Sequence, residues 1–222
     1  MRQPLFGLLG VRPFSRNTFR FAAISLALTV TAAAAQAQTQ TGSILPGIAQ
    51  PVSKVGTAKP IQGWVRFCQQ NPAECAVDPD EPATIEMTAK DWQTLNRVNQ
   101  QVNAAIKAKT DKDHWGVEDI WDFAEDGYGD CEDYQLVKRK RLVEVGFPRR
   151  ALRMTVVIDE EGAGHAVMMV RTSRGDLILD NKRNAVLPWH KTGYVYIKRE
   201  GDEGSTWASL GRRTSPTMTA NQ

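Results

Sequence analysis

The sequence predicts an α+β fold in which helices pack on an antiparallel sheet. Helical periodicity is found in the first part of the chain, up to about residue 147, whereas short β-branched runs separated by turn residues fill 151–200. Helices followed by consecutive hairpins are typical of this class, because strands joined by short turns pair antiparallel with their neighbours. Of the 222 residues, about 185 follow segment 1–37, and that length suits a single domain with a substantial core.

The N-terminal segment 1–37 has the pattern of a secretory signal peptide. Arginines without any acidic residue precede the apolar run FAAISLALTVTAAAA, and the small residues Ala35 and Ala37 follow at cleavage positions. The run is shorter than the roughly 20 residues that a membrane-spanning helix needs. We therefore expect cleavage after Ala37, a periplasmic or secreted protein, and no stable membrane insertion of the mature chain.

The charge balance argues against a nucleic-acid partner. The chain has 28 Lys and Arg against 25 Asp and Glu, but four of the arginines and no acid lie in 1–37. The mature chain is thus close to neutral, whereas nucleic-acid-binding domains are strongly basic. The run KRKR at 138–141 is interpreted as a solvated helix face, since consecutive positions spread around a helix. The oligomeric state is not predicted.

Two of the three cysteines are expected to form a disulfide. Cys68 and Cys75 lie close together in sequence, and an oxidising compartment favours their pairing. A continuous helix would hold them roughly 10 Å apart, too far for a bridge. Pro72 is therefore expected to break or bend the segment. Cys131 is then the one thiol outside the disulfide.

Composition divides the rest of the mature chain into three parts. Residues 38–60 are rich in Gln, Thr, Gly, Pro and Ala without apolar periodicity, and 201–222 have a similar composition. We interpret them as a flexible lead-in and a flexible tail around a domain over 61–200.

Two helices are predicted in the first half of that domain, with a shorter helical or irregular segment over 114–124 between them. Thr88 and Asp91 form a capping-box pattern before an apolar stripe that runs to Ile106. Asp130 and Asp133 form a second such pattern after two glycines, and Gly146 ends the helix that follows. The apolar residues of this second helix that are expected to face inward are Tyr134, Val137, Leu142 and Val145.

Four strands are predicted after Pro148. They cover 151–159, 165–172, 177–180 and 193–200, with turns over 160–164 and 173–176.

This layout can bring together a nucleophilic triad. With Asp130 as N-cap, Cys131 lies in the first helical turn, where unpaired N–H groups and the helix dipole favour a thiolate. His165 opens the second strand and Asp180 ends the third. The imidazole of His165 can therefore accept the thiol proton, and the carboxylate of Asp180 can orient the imidazole. Residues one and two positions along a helix point elsewhere, so the acids beside Cys131 are not expected to face the thiol. No zinc-ligand spacing occurs, and no calcium loop is predicted over 111–122 because Trp115 takes a ligand position.

The motifs GYGDCEDY, GAGHAVMMV and LILDN, with GWVRFCQQNPAEC upstream, resemble the bacterial transglutaminase-like cysteine proteinases over about 61–200. The resemblance implies a papain-like fold with Cys131 as nucleophile, His165 as base and Asp180 as the residue that orients it. It also implies calcium bound near the nucleophile through Asp130, Glu132 and Asp133. Gln135 departs from the alanine of adhesin-cleaving members, so the match supports the chemistry more than an adhesin substrate.

The predicted function is cleavage of a peptide bond in an envelope or cell-surface protein through an acyl-enzyme. Two alternatives stay open. Amine instead of water could attack the same intermediate, which gives transglutaminase or amidase chemistry on envelope components. The domain could also bind an envelope protein without catalysis.

Overall fold

The structure is a computed structural model that describes residues 44–203 and 206–211. The predicted signal peptide lies outside them. Within these ranges no helix is both long and apolar enough to cross a membrane.

The helices are α1 (Gln62–Gln70), α2 (Pro72–Cys75), α3 (Ala89–Ala105), α4 (Asp111–Trp115) and α5 (Cys131–Glu144). The strands are β1 (Gly56–Ala58), β2 (Lys107–Ala108), β3 (Tyr128–Gly129), β4 (Leu152–Ile158), β5 (Gly164–Thr172), β6 (Gly175–Leu179), β7 (Leu187–Pro188), β8 (Val195–Glu200) and β9 (Trp207–Ser209).

The larger sheet has the order β1-β9-β8-β4-β5-β6-β7, and every neighbouring pair in it is antiparallel. The short strands β2 and β3 pair in parallel as a separate ribbon. Helix α5 packs on β4 and β5, and α3 packs on α5 and β6. The predicted α+β fold is confirmed, and the four predicted strands correspond to β4, β5, β6 and β8.

Helix α3 begins as its sequence predicts. Thr88 accepts a hydrogen bond from the backbone N–H of Asp91, and the Asp91 carboxylate accepts one from Thr88 N, which completes the capping box. The stripe from Leu95 to Ile106 is buried in the main core. The short helix between the two long ones is α4, which starts three residues earlier than predicted and leaves most of 116–124 irregular.

Helix α5 is buried on more sides than its sequence suggests. Asp130 and Asp133 form the predicted capping box, and Gly146 follows the helix with a φ of 94°. Lys138 and Arg139 are buried, however, so the interpretation of 138–141 as a solvated face is wrong for these two residues. Val145, predicted to face inward, is 57% exposed. Lys138 and Arg139 are buried because α5 packs on both α3 and the sheet, whereas Val145 follows the last residue of the helix.

The buried Arg139 is held by Glu200 at the end of β8. Arg139 Nη1 lies 2.9 Å from both carboxylate oxygens, and Trp64 Nε1 and Met154 N donate to the same carboxylate at 2.7 and 2.9 Å. Burial raises the pKa of Glu200, but the charge of Arg139, followed by the hydrogen bond from Met154 N, leaves it below the ordinary value. One carboxylate therefore joins α1, α5, β4 and β8.

Glu200→Gln should destabilise the fold by about 3–5 kcal/mol, because it leaves the Arg139 charge buried without a counter-charge. Since the pKa of Glu200 is lower in the folded than in the unfolded protein, its stabilisation exists above the unfolded value and is lost as the pH falls through the folded one. Urea unfolding at neutral and acidic pH measures this, with the exposed Glu203→Gln as control. An equal free energy of unfolding for both variants at neutral pH would contradict it.

The disulfide between Cys68 and Cys75 is present, with 5.6 Å between the Cα atoms. The chain leaves α1 at Asn71 and starts α2 at Pro72, which occupies a first-turn position where a missing N–H costs nothing. The break at Pro72 brings the two cysteines together, as the sequence predicts.

The lead-in and tail are not wholly flexible. Strand β1 lies inside 38–60 and β9 inside 201–222, and the two pair with each other at the edge of the sheet. Trp207 of β9 is buried against Trp64, with ring centroids 5.6 Å apart. The sheet therefore includes short strands from both sides of 61–200. Strands of three residues carry too little alternation to be recognised without knowledge of their partners.

Candidate active site

Cys131 is the first residue of α5 and is fully buried. It takes no part in a disulfide. Its thiol donates a hydrogen bond to Glu132 Oε2 at 3.1 Å. A second interaction, with the backbone of Ala166, links the thiol to the residue after His165. The first turn of α5 thus lies against the start of β5.

The contact with Glu132 differs from the prediction that the neighbouring acids point away from the thiol. The pKa of the Cys131 thiol is raised well above its ordinary value by burial, then by the negative charges of Glu132 and Asp130. The bond from Ala166 acts in the opposite direction but is weaker. Burial and the neighbouring carboxylates therefore favour the neutral thiol in this arrangement.

His165 and Asp180 form a buried pair on neighbouring strands. His165 is the second residue of β5, and Asp180 follows the last residue of β6. His165 Nε2 and Asp180 Oδ1 are 2.8 Å apart, which puts the proton on Nε2 when Asp180 is ionised. His165 Nδ1 is buried and has no hydrogen-bond partner among the described residues, so it is the nitrogen available to accept a proton.

Asp180 is held ionised by several donors. Burial raises the pKa of Asp180, but the hydrogen bond and charge of His165, with further bonds from Tyr194 and the backbone of Lys182, leave it below the ordinary value. Tyr194 was not identified from the sequence.

The acidic residues form two overlapping groups instead of the single predicted one. Carboxylate oxygens of Asp111, Asp130 and Asp133 lie within 4.8 Å of one another, and Asp130 and Glu132 form a second group with the Cys131 thiol. Among the described residues, no candidate group unites all three predicted ligands. Asp111 was not identified from the sequence as a candidate ligand. The segment 111–122 was tested only for the pattern of a complete calcium loop, and a single carboxylate from that segment was not considered.

The first group has the properties of a site for a hard cation. Oδ1 of Asp111 and Oδ1 of Asp130 are buried without a hydrogen-bond partner in the described chain. Burial and then the charge of Asp130 raise the pKa of Asp111 to about 7. Burial followed by the charge of Asp130 raises that of Asp133 well above its usual range. A bound cation would remove this repulsion, and carboxylate oxygens are the ligands that calcium prefers.

Gln135 lies one turn after Cys131 and is also buried. Its Nε2 donates to Ala166 O at 3.3 Å, so it ties α5 to the strand that carries His165. His114 bonds to Asp126 and stacks on Trp115. Neither candidate metal group found in 44–203 and 206–211 contains a histidine.

An α+β domain with a cysteine at a helix N-terminus beside a His–Asp pair on adjacent strands has the layout of a transglutaminase-like cysteine peptidase. The chain belongs to the bacterial transglutaminase-like cysteine proteinase family, whose model matches residues 54–215. It is a cysteine peptidase of this fold, as its motifs predict.

Three solved structures of LapG from Legionella pneumophila are similar to this chain. The EGTA-treated form is 29% identical with a TM-score of 0.46, over 52% of this chain and 66% of that one. The calcium-bound form is 26% identical with a TM-score of 0.47, over 62% and 78%. A third structure is 28% identical with a TM-score of 0.46, over 56% and 69%. No curated protein matches.

Proposed function

We propose that this protein is an exported cysteine protease that cleaves a peptide bond in an envelope or cell-surface protein, with Cys131, His165 and Asp180 as its triad. The observation that carries the proposal is the buried His165–Asp180 pair next to the helix start that bears the thiol. Export is supported by the signal-peptide pattern in 1–37 and by the disulfide, since disulfides persist in oxidising compartments.

The chemistry assigns one role to each residue. His165 Nδ1 accepts the thiol proton, and the Cys131 thiolate attacks the scissile carbonyl carbon. The imidazolium then protonates the leaving amine, which releases the C-terminal product and leaves a thioester. Water attacks the thioester with Nδ1 as base, and the second product leaves as Cys131 regains its proton. Asp180 holds the Nε2 proton throughout and stabilises the imidazolium.

Calcium is proposed to bind at Asp111, Asp130 and Asp133, with Glu132 beside them. The support is the two buried carboxylate oxygens without partners and the raised pKa values of all three aspartates, each due first to burial. Glu132 shares a hydrogen bond with Asp130 and another with the thiol. When bound, the cation would neutralise the carboxylates that raise the pKa of Cys131.

The test is incubation of the mature protein, with calcium, with envelope extract from a strain that lacks it. Cys131→Ala protein is the matched control. New peptide termini that appear only with the wild type, mapped by mass spectrometry, are the expected result. New crosslinks without new termini would instead establish acyl transfer. A substrate bound equally by both proteins and left intact would identify a binding domain.

A further inference from the structure

We propose that Tyr194 is a positioning residue of the peptidase site, a fourth member that holds Asp180 in the orientation in which it serves His165. The inference rests on the proposed triad and adds to it. Tyr194 OH donates to Asp180 Oδ2 at 2.6 Å, on the carboxylate oxygen that His165 does not use.

The Asp180 carboxylate is fixed from both sides. Its Oδ1 accepts from His165 Nε2 at 2.8 Å and from the backbone N–H of Lys182 at 3.0 Å. Its Oδ2 accepts from Tyr194. Because hydrogen bonds hold both oxygens, the carboxylate cannot rotate about its Cβ–Cγ bond without breaking at least one of them. Tyr194 supplies the donor to Oδ2, so loss of its hydroxyl leaves the carboxylate held at Oδ1 alone among the described residues.

Tyr194 also contacts the imidazole directly. The two ring centroids are 5.9 Å apart and the planes stand at 82°, an edge-to-face arrangement. One side chain therefore borders both the acid and the base. Tyr194 is buried and Arg183 lies over its ring at 5.6 Å, paired with Glu160.

The backbone around Tyr194 is built to deliver the hydroxyl. Gly193 has a φ of 83°, a conformation that favours glycine, and Tyr194 N donates to Thr192 Oγ1. Strand β8 begins at the next residue and pairs with β4, which pairs with β5. Val157 of β4 pairs with Tyr196 on one side and with His165 on the other, so β4 joins the strand that follows Tyr194 to the strand that carries His165.

Tyr196 provides a matched control. It is a second buried tyrosine two residues further on, and its hydroxyl bonds to Thr192 Oγ1 at 3.1 Å and to Trp189 O at 3.3 Å. Tyr196 also interacts electrostatically with Asp180, but its hydroxyl bonds to Thr192 and Trp189 and not to that carboxylate. Charged groups on other elements that act on Asp180 or Tyr194 include Lys138 and Arg183. These stay unchanged in either tyrosine variant.

The experiment measures alkylation of Cys131 by iodoacetamide in the calcium-supplemented mature protein, which needs no substrate. Cys131 is the only thiol outside the disulfide, so the reaction reports one site. Tyr194→Phe keeps the ring and removes the hydroxyl, and we expect it to lower the rate about tenfold. Tyr196→Phe should leave the rate within about twofold of wild type. Thermal unfolding of each variant shows whether the fold is kept.

A double-mutant cycle separates positioning from a structural role. In an Asp180→Ala background Tyr194 has no carboxylate to hold, so adding Tyr194→Phe should change the alkylation rate by less than about twofold. An equal loss in both backgrounds, or a rate for Tyr194→Phe equal to that of Tyr196→Phe, would overturn the inference. If instead His165→Ala alkylates as fast as wild type, the proposed triad itself fails, whatever Tyr194 does.

Discussion

Cys131→Ala should abolish turnover on any substrate of this protein, because the described chain offers no other group that can form the thioester. The thiol is at the N-terminus of α5, bonded to the backbone of Ala166, and alanine removes the sulfur with little change in buried volume. Product formation should fall to the uncatalysed level while the unfolding midpoint stays within a few degrees of wild type. Mass spectrometry of product termini measures product formation, and calorimetry measures the unfolding midpoint.

Substitution of the other two triad residues should lower the activity to different extents. His165→Ala should be nearly as inactive as Cys131→Ala, because the thiol then has no acceptor for its proton. Asp180→Asn should retain some activity, with a loss of about 10³–10⁴-fold, because its main defect is an imidazole in the wrong tautomer. His114→Ala is the control, since His114 bonds to Asp126 and stacks on Trp115. Wild-type turnover by Cys131→Ala would refute the mechanism outright.

Removal of calcium should lower both stability and activity. Asp111, Asp130 and Asp133 are buried close together, and burial, followed by the charge of Asp130, raises the pKa of Asp111 to about 7. Calcium at about 100 times its dissociation constant would add about 2.7 kcal/mol to the free energy of unfolding. For a domain of this size, chelation should then lower the melting temperature by about 5–10 °C. Activity should fall with it, since burial and the uncompensated carboxylates then hold the pKa of the Cys131 thiol high.

Calcium but not magnesium should restore the melting temperature and the activity of the chelator-treated protein. Magnesium requires a smaller, octahedral coordination shell and loses its bound waters reluctantly. Asp111→Asn should weaken the calcium response, and Glu132→Ala should weaken it as well. Glu118→Gln, an exposed carboxylate in the same segment, should not. If chelator changes neither melting temperature nor activity in metal-stripped protein, the aspartates serve only as helix cap and backbone acceptors.

Much of the fold could be predicted because its signals are local. The capping boxes at Thr88 and Asp130 depend on residues three positions apart, and both are present as expected. The hairpins from β4 to β6 follow from β-branched runs and turn residues next to them in sequence. His165 and Asp180 could be paired in advance for the same reason, since neighbouring strands of a hairpin sheet bring the ends of β5 and β6 together.

The sequence alone determined the class of fold, the helix start that carries Cys131, the His165–Asp180 pair and the Cys68–Cys75 disulfide. Tertiary structure alone decided that Asp111 joins Asp130, that Tyr194 holds Asp180, and that β1 and β9 close one edge of the sheet. It also buried Arg139 against Glu200, 61 residues away. These contacts join segments that are distant in sequence and are brought together only by packing. A single aspartate, tyrosine or arginine is part of no periodic pattern, so the sequence does not predict its partner.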